Sequence, residues 1–143
     1  MQLNLTGPAA GLAAFLGIWI GHISVREIER RSASLWQPAA AFLLAGLLLE
    51  TGALLASQAP ISAILGILGI TAGWDTLELF RQQRRVQRGH APANPSNPRH
   101  AHILADFPAA TTQNLLDRQP LGRPVTVEEA LAMASGEHVE APE

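Results

Sequence analysis

The sequence predicts an all-α membrane protein: three transmembrane helices, the third running on past the bilayer, then a polar C-terminal tail with one or two short helices. Three apolar stretches reach the roughly 20 residues a helix needs to cross a hydrocarbon core about 30 Å thick. Charge is nearly excluded from them, since residues 1–25 carry none and residues 35–80 carry only Glu50, Asp75 and Glu78. Arginine supplies every strong cation, because the chain has no Lys, and all the arginines fall on one side of a three-pass topology. The mean hydropathy of +0.14 would suit a soluble protein. It averages two halves that differ sharply in charge and so live in different solvents.

The first span runs from about Leu5 to Ile23, LTGPAAGLAAFLGIWIGHI, with Thr6 as cap and Pro8 in the first turn, where a missing N–H costs nothing. A cleaved signal peptide needs a basic region ahead of its apolar stretch, and MQLNLTG has none. The second span runs from about Trp36 to Ser57, with Pro38 in its first turn. The third begins at Pro60 and stays apolar to about Phe80, and its helix continues through RQQRRVQR to Gly89, a natural stop. These segments lack the polar faces that buried helices of a small soluble core would show. Residues 1–89 thus form the membrane domain, and residues 90–143 a cytoplasmic Pro-rich linker with an acidic tail.

Direction follows from the positive-inside rule. Arg26, Arg30 and Arg31 lie in the link SVREIERRSAS between spans one and two, and Arg81, Arg84, Arg85 and Arg88 follow span three. The N-terminus and the SQAP turn have no cation, so the N-terminus is expected outside and the C-terminus in the cytoplasm. Trp19, Trp36 and Trp74 all sit toward the cytoplasmic ends of their helices, the level where amphipathic rings settle.

Small residues mark the faces on which helices pack in lipid. Gly7, Ala10, Gly11, Ala14, Gly17 and Gly21 form a stripe on helix one, and Gly66, Gly69 and Gly73 form a line on helix three. They suit either a seam for a partner or packing of the three helices on each other. The second reading is preferred, because three helices must use their small faces internally first.

Nearly opposite its glycines, helix three bears Thr71, Asp75, Glu78 and Gln82 at spacings of four, three and four, which is one helical face. Ionisable groups inside a span count as functional candidates by default. Asp75 is only about five residues, roughly 7–8 Å, from the cytoplasmic end at Phe80. His22 and Arg26 reach the same level from helix one. The set His22, Asp75 and Glu78 could bind a cation, relay protons or hold a headgroup. An interfacial salt-bridge set, with Glu78 pairing Arg81, explains it equally and is preferred. Glu50 lies about seven residues, near 10 Å, inside the outer end of helix two. Thr51 and Ser57 are its polar company, and it is a candidate proton or sodium site or a structural hydrogen-bonding carboxyl.

Arg81, Arg84, Arg85 and Arg88 stand at i, i+3, i+4 and i+7, suited to anionic headgroups at about 1 kcal/mol each. Interleaved aromatics and base-reading motifs are missing, so nucleic acid is not expected as a partner. The stretch HAPANPSNPRHAH reads as extended linker. His90, His100 and His102 lack the companions of a coordination shell, so no metal site is assigned, and the sequence leaves any cofactor unknown. Thr126 to Glu129 has capping-box spacing ahead of a short helix over Val127 to Ser135, and a second short helix is possible over Thr112 to Arg118.

Taken together, residues 3 to about 99 resemble the small bacterial membrane proteins of domain of unknown function 4491. The likeness rests on LNLTGPAAGLAAFLGIWIGH, Glu29, Trp36, ILGILGITAGW, the ELF of residues 78–80 with the RV of residues 85–86, and Asn94-Pro95, in that order. His22, Trp74 and Glu78 match its pattern. Ile23 stands where the pattern has Pro, and residues 100–143 extend beyond it. The resemblance implies a three-helix protein of the bacterial inner membrane and no particular reaction.

No nucleophile elbow, P-loop, dinucleotide fingerprint or zinc helix is present, so enzyme chemistry is not indicated. Single bundles of three helices also lack the repeats that secondary transporters use. The leading expectation is an accessory or assembly subunit of a larger membrane complex, in contact with the bilayer and with other membrane subunits or itself. The alternatives are a homo-oligomeric ion or metabolite permease and, more weakly, a pigment- or haem-binding subunit with His22 as axial ligand.

Overall fold

The computed structural model of the chain describes residues 3–114 together with positions 127 and 131. Helices and connecting turns make up all the described residues: α1 (Thr6–Arg31), α2 (Trp36–Leu55), α3 (Ala59–Gln87) and α4 (Pro98–Asp106). Among them, α1, α2 and α3 are each long and apolar enough to cross a membrane.

The helix starts agree with the sequence reading, and the ends differ in one instructive place. α1 does not stop at Ile23 but runs on to Arg31, so the expected link contracts to residues 32–35. Glu27 stabilises the added turns by pairing with Arg30 at i+3 and Arg31 at i+4. At the other end of α1, Asn4 rather than Thr6 satisfies an orphan amide: its Oδ1 accepts from the Thr6 N–H at 3.0 Å. Hydroxyls on the apolar helices are consumed locally, with Thr51, Thr71 and Thr76 donating to the carbonyls of Leu47, Ile67 and Ala72. Ser62 donates to the Ala53 carbonyl at 2.8 Å and ties the start of α3 to the end of α2.

α3 is the central element, packed along most of its length against both α1 and α2. α2 runs antiparallel to it and approaches most closely at Gly46, where an added Cβ would lie 2.9 Å from the Gly69 carbonyl oxygen and 3.1 Å from the Gly73 nitrogen. α1 runs parallel to α3, with Gly17 against Leu68 and Thr71 and Gly21 against Asp75. Internal packing thus uses Gly17, Gly21, Gly46 and Gly69, with Gly73 offering its backbone to Gly46, while nothing lies within 4 Å of the Cβ positions of Gly7, Gly11 and Gly73 themselves. Gly66 makes only ordinary contact with Ala53.

Burial is concentrated at the arginine-bearing end. One cluster joins Val25, Ala39 and Leu79, with Ile28, Phe42 and Phe80 packed on it. A second joins Val86, Ala93 and Ile103. The second exists because the segment after α3 does not extend away as a linker, which corrects the sequence expectation for residues 90–102. α3 ends in a Schellman turn: Gly89, at φ +72°, donates to the Val86 carbonyl, and the His90 N–H donates to that of Arg85 at 2.8 Å. The chain reverses and forms α4, whose N-cap Asn97 accepts from the Arg99 N–H at 3.0 Å with Pro98 in the first turn. It then returns so that the Ala93 N–H donates to the Thr111 carbonyl.

Of the two expected tail helices, residues 112–114 are not helical, and the rest of the Thr112 to Arg118 segment lies outside the described residues. Val127 and Leu131 are helical, and the other positions of the Val127 to Ser135 helix lie outside them too.

Candidate functional site

The polar line of α3 divides into two parts with different chemistry. At its charged end Glu78 is buried and receives Arg85 at 2.6 Å and Arg81 at 3.6 Å. Gln82, also buried, accepts from Arg85 at 3.0 Å, and Arg81 lies over the ring of Trp74 at 4.6 Å. This half is a salt-bridge set at the ends of the helices, as the i+3 spacing of Glu78 and Arg81 suggested. It commits Arg81 and Arg85, leaving Arg84 and Arg88 exposed and outside any ion pair among the described residues.

One turn earlier the situation reverses. Asp75 is 6% exposed, its carboxylate lies flat against Gly21, and among the described residues no hydrogen bond or ion pair holds it. A Cβ on residue 21 would meet the Asp75 oxygens at 2.6 and 2.9 Å, so glycine there is what admits the carboxylate. His22 is exposed on α1, close enough to act on the Asp75 charge through space but not hydrogen-bonded to it. The structure therefore does not join His22, Asp75 and Glu78 into one hydrogen-bonded set. Asp75 forms part of the wall of a crevice of about 210 Å³ where α1 and α2 part above α3, together with Ser24, Thr71 and Phe42.

Glu50 sits on α2 against the backbone of Gly69, and its Oε1 is buried without a hydrogen-bond partner among the described residues. Thr51, its expected polar neighbour, is committed to Leu47.

The most extensively bonded polar cluster was not legible in the sequence. Glu29, 1% exposed near the end of α1, accepts at Oε1 from Arg99 Nη1 at 2.9 Å and faces His100 Nε2 at 3.0 Å. His100 Nδ1 accepts from the Asn94 N–H at 2.8 Å, which places the ring proton on Nε2 and makes His100 a neutral donor to Glu29. Arg99 therefore supplies the positive charge, and its 3.0 Å approach to His100 Nε2 is a packing contact. Arg99 also donates to the carbonyls of Glu29 and Ser32, while Asn94 and Asn97 donate to that of Arg30 at 3.2 and 3.0 Å. The last carbonyls of a helix have no partners within it, and the negative end of its dipole favours a cation. Here a segment some 65 to 70 residues downstream caps α1 and supplies that cation. Beside the clamp, Arg26, Arg30, Gln82, Asn94 and Thr112 help line a cavity of about 600 Å³. Among the described residues no group of three or more His and acidic side chains is placed to hold a metal ion.

The profile of a family described as Domain of unknown function (DUF4491) matches residues 4–97. The chain belongs to this family. No curated protein and no solved structure matches it. The DUF4491 segment includes Asp75, Gly21 and Glu78 and three members of the clamp, Glu29, Asn94 and Asn97, and stops just before Arg99 and His100.

Proposed function

We propose that the chain is a three-pass protein of the bacterial inner membrane, N-terminus outside, that serves as an accessory or assembly subunit of a larger membrane complex. The observation that carries this reading is the open arrangement of its helices. α1 and α2 each pack on α3 but part from one another, leaving a crevice that side chains of the described residues do not fill. Large apolar side chains face outward all round, Phe15, Leu48, Leu54, Leu55 and Ile70 among them, a surface suited to lipid and neighbouring helices rather than water. Trp19, Trp36 and Trp74 are likewise exposed, in keeping with an aromatic belt.

The clamp gives such a subunit a rigid face at the arginine end. Capping α1 with residues 94–99 fixes that end of the bundle against α4, and Arg26, Arg84 and Arg88 stand exposed at the same end, suited to anionic headgroups or an acidic partner surface. Gentle detergent extraction from the source membrane followed by native mass measurement tests the reading. Stoichiometric foreign subunits support it; a homo-oligomer favours a permease, and a colourless monomer refutes it. A C-terminal reporter that matures only in the cytoplasm checks the direction.

A further inference from the structure

We infer that the crevice around Asp75 is the docking site for a basic side chain, Lys or Arg, carried on a transmembrane helix of a partner subunit. The inference rests on the subunit reading above and names the chemistry of its partner.

The argument begins with the carboxylate. Asp75 is 94% buried by its 6% exposure, faces the crevice, and receives no hydrogen bond or ion pair among the described residues. A buried polar group left unpaired is costly, more so at membrane depth, and persists where something else completes it. Its neighbours do not. Thr71 gives its hydroxyl proton to the Ile67 carbonyl, Glu78 is itself an acid, and His22 makes no hydrogen bond to Asp75.

Size then narrows the occupant. A single water or bare ion needs on the order of 10–15 Å³ on this measure, and drug-sized ligands occupy roughly 300–1,000 Å³. At about 210 Å³ the crevice has room for more than one water and is small for a drug-sized ligand. The end of one long side chain fits. The walls match such a guest: Ile20, Phe42, Leu49 and Leu68 would cover an apolar stem, with the Asp75 carboxylate and the Ser24 hydroxyl at its end.

Charge complementarity makes the guest a cation, and the apolar spans of this chain hold none. Residues 1–25 and 35–80 contain no Lys or Arg, so a second copy of this chain has no strong cation within its apolar spans to offer. Asp75 lies roughly 7–8 Å before Phe80 along α3, so the partner's Lys or Arg sits in the layer just inside the arginine end of the bundle. Gly21 supports the same conclusion, because its missing side chain leaves the carboxylate room beside α1.

The test uses the full-length chain reconstituted in phosphatidylcholine vesicles and three labelled Leu/Ala transmembrane peptides. They are identical except for Lys, Leu or Glu about five residues from one end. Energy transfer to the protein should show the Lys peptide binding about tenfold more tightly than the Leu peptide, the scale of one interhelical polar contact. The Glu peptide should bind least. Asp75→Asn should lower the Lys peptide to the Leu level, whereas Glu78→Gln should leave the preference intact. Equal binding of Lys and Leu peptides to the unaltered chain, or a preference that survives Asp75→Asn, overturns the inference. The peptide series on the unaltered chain decides the matter even where Asp75→Asn does not fold. A dimer that excludes all three peptides and is dispersed by His22→Leu also overturns it, by placing a second copy in the crevice. Foreign subunits that co-purify with the chain while the peptides show no Lys preference would sink this inference and leave the subunit reading standing. A Lys preference in a chain that leaves its own membrane alone would do the reverse.

Discussion

Replacing Arg99 with Met removes the guanidinium that, among the described residues, faces a carboxylate only 1% exposed. Three attachments go with it: the 2.9 Å pair with Glu29 and the bonds to the carbonyls of Glu29 and Ser32. Removing one partner of a buried pair costs about 3–5 kcal/mol, because the remaining charge is stranded. Arg99 keeps 14% side-chain exposure and His100 still donates to Glu29, which points to the lower end, about 3 kcal/mol. Since α4 touches the bundle over a short stretch, the loss should appear as local opening of residues 90–106 with α1–α3 intact. Hydrogen exchange of the full chain in micelles is the assay. The amides of Asn94 and Ala101, bonded within this segment, and that of Ala93, bonded to the Thr111 carbonyl, should exchange about 100-fold faster, while those in the middle of α3 should not change. Glu29→Met should open the same amides, and the double substitution Glu29→Met with Arg99→Met should recover more than half of the loss, since no charge is then stranded. Additivity of the two single effects to within about 0.5 kcal/mol would refute the reasoning, as it would show that the two side chains do not act as a pair.

Gly46→Leu should prevent stable packing of α2 on α3, because the new side chain meets backbone at 2.9 and 3.1 Å, whereas Gly11→Leu should change the thermal midpoint of the isolated chain little, with an effect within about 0.5 kcal/mol. Gly89→Ala should cost about 1–2 kcal/mol for the left-handed conformation, with further loss from the approach of the Ala109 carbonyl, and should likewise speed exchange in residues 90–106. Glu50→Met should leave the thermal midpoint unchanged or raise it, since it replaces an unpartnered buried oxygen with an apolar group of similar reach; a drop of several degrees would mean that the Glu50 carboxyl has a partner in the bilayer.

The candidate site was only partly legible in advance. The i+3 spacing of Glu78 and Arg81 announced their pairing, because helical geometry alone brings them together. The sequence also placed Asp75 on the same face, but it could not show that Asp75 lies beyond the reach of those arginines and against Gly21. Residues 90–102 were misread for a physical reason. Their Pro, Asn and Ser content describes what the segment does in the absence of a partner, and here the partner is the open end of α1. Glu29 and Asn94 both carried the family resemblance, a sign that they matter, yet no local pattern relates residues 65 to 70 positions apart.

By itself the sequence determined the features that depend on one helix at a time: three apolar spans, the Gly89 stop of α3, the helix ends at which arginine collects, and the polar line of α3. These follow from periodicity and transfer energy, which are written along the chain. The tertiary structure alone decided which glycines are consumed by packing, that Asp75 has no partner among the described residues in a crevice between α1 and α2, and that Arg99 and His100 return to close over Glu29. Those outcomes depend on the distance between groups far apart in sequence, and only the packing of α3 between its neighbours sets it.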